Sequence, residues 1–234
     1  AKKLFLKRNF EVMSVIEKNI IKDMKLPSHE YIRAELFDKY AVPSTIRRHC
    51  EKVRDVGEVL ANGLHNAGVP IDLDLVDRGC LVHDVMKAAT LPSLVVNPEF
   101  SYVPSSREIK VQTMLKGRYI GLHETLIAAE LLRPLFPKFS DFVANIGSTG
   151  NPTYLDGGIE LKVVHYADWR VQFDRIVPFR DRLQYLKDTY LHRHPDKGDA
   201  WWEAAVKKEL ELEQEIFSHL PFKPDDLTEV IERR

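Results

Sequence analysis

The stretch Gly79-Cys80-Leu81-Val82-His83-Asp84-Val85-Met86-Lys87-Ala88 lies inside an apolar, helix-compatible segment that begins near Leu73, and the rest of the chain is read outward from it. Leu75, Val76, Leu81, Val82 and Val85 recur at helical spacing, which predicts a buried helix from about Asp72 to Thr90. A His-Asp pair in such a place needs partners, because an unpaired buried carboxylate costs several kcal/mol. Other side chains would serve, and so would a metal ion, which satisfies imidazole and carboxylate together; that donor pair suits Mn, Fe, Co, Ni or Zn. Lys87 stands one turn after His83 on the same face, where its ammonium could meet a phosphate.

Composition sets wide bounds. A chain of 234 residues can bury a substantial core. With 34 Lys and Arg against 35 Asp and Glu, nothing drives it globally toward nucleic acid or an anionic membrane. No run approaches eighteen apolar residues, so no membrane span is expected. The opening Ala1-Lys2-Lys3-Leu4-Phe5-Leu6-Lys7-Arg8 turns polar too soon for a signal peptide, and Cys50 and Cys80 make no disulfide framework. A reducing cytoplasm is the expected compartment.

Helices are predicted almost throughout. The first covers about 3–24, with Phe10, Met13, Ile16, Ile20 and Met24 near one face, and a second follows Ser28 to about Tyr40. Pro43-Ser44 opens a helix to Ala67 that Gly68 ends, with His49 in its second turn. Leu91–Pro104 reads as a loop, Ser105 or Ser106 caps a helix through Lys116, and Leu122–Leu132 carries His123. Phe139–Ile146 is helical, Gly147–Pro152 is loop, and Asp156 caps a helix over Gly158–Val171 that holds His165 and Asp168. Pro178 opens a helix to Tyr190, 192–198 is a polar turn, and a long helix runs from Asp199 to Leu220 before a short C-terminal one. No segment alternates with period two. The expectation is an all-α chain forming one helical domain over 1–234.

Three segments together resemble the HD-domain metal-dependent phosphohydrolases: Ile46-Arg47-Arg48-His49-Cys50-Glu51-Lys52-Val53, Leu81-Val82-His83-Asp84-Val85-Met86-Lys87, and Val163-Val164-His165-Tyr166-Ala167-Asp168-Trp169-Arg170-Val171. They match that family's first His, its His-Asp doublet followed by Lys, and its late Ala-Asp. The match covers about 42–171 as an HD-like core, with 1–41 and 172–234 as flanking helices. The resemblance implies an HD-like bundle in which His49, His83, Asp84 and Asp168 bind one divalent ion, with Mn, Co, Fe, Ni, Zn or Mg as candidates. It implies hydrolysis of a small phosphate ester, a nucleotide by preference, by metal-activated water, with Asp84, Lys87 and His123 as the catalytic set. In many members a His at the place of His123 binds phosphate or a second metal. The further His of two-metal members is missing from Ile146–Gly150, as is a Gly-Tyr-Pro signature, so one metal is expected. Met86 stands where the family usually has Gly.

Other residues carry two readings. His165 shares a helix face with Asp168 and either touches phosphate or is a satisfied, half-buried His. Arg107, Lys110, Lys116 and Arg118 form either a phosphate-steering patch beside His123 or a solvated helix face. Cys50 and Cys80 read as small buried hydrophobes. Of Trp201 and Trp202, one is expected to pack on the bundle and the other to mark a partner or oligomer contact. The alternatives to an enzyme are a non-catalytic metal or nucleotide sensor, and a helical interaction module whose His-Asp pair is structural.

Overall fold

The computed structural model describes residues 26–95, 102–146, 157–191 and 198–233. Among these the fold is all-α, with ten helices and one small antiparallel hairpin. The expected first helix, the Gly147–Pro152 loop, the Asp156 cap and most of the polar turn lie outside the described residues. None of the described helices is long and apolar enough to cross a membrane.

Helix α1 begins as an α-turn at His29–Tyr31, capped by Ser28, and continues as a π-helix over Ile32–Asp38. Helix α2 (Ser44–Asn66) is the axis of the bundle. Its stripe of Val53, Val56, Leu60 and Leu64 is fully buried, and burial of each such side chain contributes about 1.5–3 kcal/mol. His49 extends the same stripe by one turn toward the N-terminus. Gly68, at φ +83°, ends the helix as its residue type predicts.

Helix α3 (Leu73–Val82) crosses α2 at very short range. A Cβ on Gly57 of α2 would stand 2.5 Å from the Cys80 sulfur, so this crossing requires glycine. Helix α7 (Ile159–Trp169) packs on both α2 and α3. Gly79 lets α3 meet α7 and a further helix, since its Cβ would fall 3.0 Å from Val164 and 2.8 Å from Phe142. The site helices thus come together through small residues at their crossings.

Around this core run α4 (Ser106–Arg118), α5 (Glu124–Leu132) and α6 (Pro137–Ala144), the last two packed as a pair. Ser105 caps α4 in a full capping box with Glu108. After α7 the chain forms a hairpin of β1 (Val171–Gln172) and β2 (Arg175–Ile176), in register Val171 to Ile176. Then follow α8 (Phe179–Tyr190), α9 (Asp199–Phe217) and α10 (Leu227–Glu232). Buried apolar residues from Ile32 to Leu227 form one continuous cluster.

The helix expected over Asp72–Thr90 stops at Val82. The Cys80 carbonyl, which an unbroken helix would offer to the Asp84 N–H, accepts a bond from His83 Nδ1 instead (2.7 Å). The backbone then tightens through Val85-to-Val82 and Lys87-to-Asp84 bonds into a 3₁₀ turn at Lys87–Ala89. Met86 sits at φ −102°, a conformation open to any L residue, and its side chain is fully buried. Nothing at that position calls for glycine.

Candidate metal centre

His49 comes from α2, His83 and Asp84 from the turn after α3, and Asp168 from the last turn of α7. Their polar atoms converge. His49 Nε2 lies 3.2 Å from His83 Nε2, 3.0 Å from Asp168 Oδ1 and 3.8 Å from Asp84 Oδ2. His83 Nε2 lies 3.5 Å from Asp168 Oδ1 and 3.9 Å from Asp84 Oδ2.

The far side of each ring explains why the Nε2 atoms face inward. His83 Nδ1 donates to the Cys80 carbonyl, and His49 Nδ1 donates to the Phe173 carbonyl at 2.6 Å. Such outer bonds fix ring orientation and turn each Nε2 toward the centre. Phe173 is at the tip of the β1–β2 hairpin with φ +60°, a strained conformation for a bulky residue, costing about 1–3 kcal/mol. Asp174, next in the tip, pairs with Arg48 at 2.9 Å, so the hairpin grips the helix at His49 and at its neighbour.

Electrostatics agree with the geometry. Burial pushes the His83 pKa down, but Asp84, Asp168 and the Cys80 carbonyl outweigh it and bring it up to about 9. Burial likewise pushes Asp168 up, and His49 and His83 overcome it and hold the carboxyl well below the usual range. Asp84 is lowered too: Lys87 and His83 outweigh its burial. Two carboxylates beside His83 therefore set up a negative local potential, which a cation at this point would satisfy. His49, His83 and Asp84 could hold a metal ion. Donor atoms at about 2.1 Å from one ion stand about 3.0 Å apart at right angles and farther at wider angles, which the separations among His49, His83 and Asp84 match. The donor set, neutral nitrogen and carboxylate oxygen, fits a divalent transition metal.

Lys87 is hydrogen-bonded to Glu124 Oε1 and lies 3.5 Å from Asp84 Oδ1. Glu124 is buried in the first turn of α5, and its other oxygen accepts from Thr90 Oγ1 at 2.9 Å. Sequence reasoning missed Glu124, because a carboxylate in a first helical turn reads as an ordinary dipole-compensating residue. It also missed Phe173 and Asp174, which lie in a two-residue tip between two-residue strands; no period-two signal exists at that length.

His123 is the N-cap of α5. Its Nδ1 accepts from the Thr125 N–H and faces the Thr125 hydroxyl at 2.9 Å, which leaves the proton on Nε2. That Nε2 is 3.6 Å from Glu124 Oε1 and belongs to the cavity wall, not to the converging donor group.

The remaining expected residues stand outside the converging group. His165 is buried and engaged by both oxygens of Glu209, at 3.0 and 3.1 Å, and it also lines the cavity. Arg107 donates to the Asp38 carbonyl, Lys116 to the Pro92 carbonyl, and Arg118 lies over the Tyr119 ring; Lys110 is exposed. None of these four is among the described residues lining the cavity. Cys50 and Cys80 are fully buried, and burial pushes both thiols well above their ordinary range, which suits hydrophobes and not thiolate ligands.

The converging group opens into a cavity of about 390 Å³. His49, His83, Asp84, Lys87, His123 and Glu124 form its polar wall, while Trp169, Phe173, Tyr185, Trp201 and Trp202 form an aromatic one. Both Trp201 and Trp202 line this one cavity, where the sequence suggested a division between core and partner surface. No family model matches this chain, and neither curated proteins nor solved structures yield a match.

Proposed function

We propose that this chain is a metal-dependent phosphohydrolase of the HD-domain kind, acting on a small phosphate ester, a nucleotide by preference. The observation that carries the reading is the pair of imidazole Nε2 atoms, 3.2 Å apart, each oriented by a carbonyl on its far side and faced by two carboxylates. A purely structural His-Asp pair does not require two imidazoles and two carboxylates turned toward one point.

His49, His83, Asp84 and Asp168 would hold one divalent ion. Such an ion lowers the pKa of a coordinated water and polarises a phosphoryl oxygen. The chain's own residues do the rest. Lys87, beside Asp84, supplies positive charge for the phosphate oxygens, and Glu124 keeps its ammonium aimed along the polar wall. His123, protonated on Nε2, donates a hydrogen bond toward phosphate. Its polarity is opposite to that of His49 and His83, which would present lone pairs to the ion. A phosphate donor and two ligands are thereby distinguished by which nitrogen carries the proton.

Elemental analysis of the purified full chain, combined with phosphate release from a panel of nucleotides and sugar phosphates, tests the reading. The expected result is about one divalent ion per chain and turnover that a chelator abolishes and added metal restores. Two fully occupied ions would shift His123 into the ligand set. Metal without turnover would support a non-catalytic sensor, and absence of both would leave a helical interaction module.

A further inference from the structure

The aromatic wall of the cavity has features that phosphate chemistry does not use. All three tryptophans of the chain line it. Trp169 ends α7, directly after Asp168, and its ring lies 5.0 Å from that of His165, itself locked by Glu209. Trp201 and Trp202 open α9, and Tyr185 comes from α8. Phe173 links the two walls: its carbonyl orients His49, and its ring meets Tyr185 edge-on at 5.8 Å.

Arg182, one turn before Tyr185, places its guanidinium 5.4 Å above the Tyr185 ring and also lines the cavity. Its Nε is buried and has no hydrogen-bond partner among the described residues. A buried donor of this kind calls for an acceptor. The cavity's volume lies in the range of small-ligand sites, which combine apolar walls with few polar groups.

We propose that this wall is a nucleobase subsite, with the indoles and Tyr185 stacking the ring and the Arg182 guanidinium, which lines the cavity, donating to a ring nitrogen or carbonyl of the base. A flat base offers both features the wall requires, π-faces for stacking and an acceptor on its edge. A sugar phosphate lacks the ring, and a hydrocarbon aromatic would leave Arg182 unpaired. The assignment of this subsite to a substrate rests on the phosphohydrolase reading, but base binding itself does not.

The test uses the metal-free full chain and probes without phosphate. Adenosine and cytidine are titrated while tryptophan fluorescence, excited at a wavelength the bases do not absorb, is followed; ribose 5-phosphate is the control. At least one nucleoside should quench saturably, and ribose 5-phosphate should not. Arg182→Gln and Trp201→Leu, each with unchanged circular dichroism, should weaken that nucleoside about tenfold, the effect of one lost hydrogen bond or stacking partner. Metal content should stay as in the parent chain. The proposal is overturned if neither nucleoside quenches, if ribose 5-phosphate quenches equally, or if both variants bind the nucleoside unchanged. Nucleoside binding by a chain that takes up no metal would sink the phosphohydrolase reading and keep this subsite. Metal-dependent phosphate release without nucleoside binding would do the reverse.

Discussion

Helix α7 carries two histidine–carboxylate associations one turn apart, and they are built differently. His165 meets Glu209, which grips one ring nitrogen with both oxygens, the pair being almost wholly buried. Asp168, three residues on, faces two imidazoles that also face each other and a second carboxylate, with 28% of its side chain open to the cavity. The first joins one imidazole to one carboxylate. The second gathers two imidazoles and two carboxylates around one point, beside an opening. Burial alone would rank His165 and His83 alike; what separates them is how many donor atoms converge.

The sharpest way to break this contrast is Asp84→Ala. Outer partners of a metal ligand are worth 10–100-fold in affinity, so loss of a ligand should weaken metal binding by more than ~100-fold and take phosphate release to background. Helicity should persist, because Asp84 sits at the cavity edge and not among the core side chains. Unchanged metal stoichiometry in this variant would remove Asp84 from the centre.

Glu209→Ala probes the other association. It leaves His165 buried without its partner, a loss of about 3 kcal/mol. For a chain of this size that lowers Tm by roughly 6–12 °C. Metal content should be unaffected. If Glu209→Ala loses metal while still folded, the two associations are one coupled site and the distinction fails.

Lys87→Ala tests the division of labour within the site. Metal should stay bound, while kcat/KM falls by about thirtyfold through lost phosphate contact. Because the substitution also strands buried Glu124, the companion Lys87→Ala/Glu124→Gln should recover stability without recovering turnover. Metal loss from a folded Lys87→Ala chain would show that the ammonium positions Asp84 instead.

How far these features were legible in the sequence follows from what each one depends on. The α2 stripe, the Ser105 cap and the Gly68 stop depend on spacing and residue type, which a sequence displays; His49, His83, Asp84 and Asp168 come from a resemblance to a family, and the structure brings both imidazoles within 3.9 Å of each carboxylate. The break after Val82 depends on a side chain, His83, capturing a carbonyl from its own helix, and apolar periodicity runs through it unchanged. The hairpin holding His49 is too short to have a period. Glu124 acquires its meaning only when α5 is laid against the turn carrying Lys87 and Thr90. The basic residues of α4 illustrate the converse: adjacent to His123 along the chain, they bond elsewhere, because sequence proximity does not fix which way a helix faces.

The smallest expected effect concerns the hairpin's grip. Two contacts hold its tip to α2: the Phe173 carbonyl with His49 Nδ1, and Asp174 with Arg48. The ion pair is half exposed on the Arg48 side, where such pairs contribute about 0–1 kcal/mol. The backbone contact is shorter, and it acts on the ligand itself. Asp174→Ala should therefore weaken metal binding only about threefold and move Tm by no more than a few degrees. The strained φ of Phe173 should persist, since β1 and β2 remain paired on either side of the tip. A metal titration read by competition with a chromophoric chelator resolves a change of that size. A loss approaching a hundredfold would mean that the ion pair, not the Phe173 carbonyl, sets the orientation of His49, and the outer support of the centre would have to be reassigned from backbone to side chain.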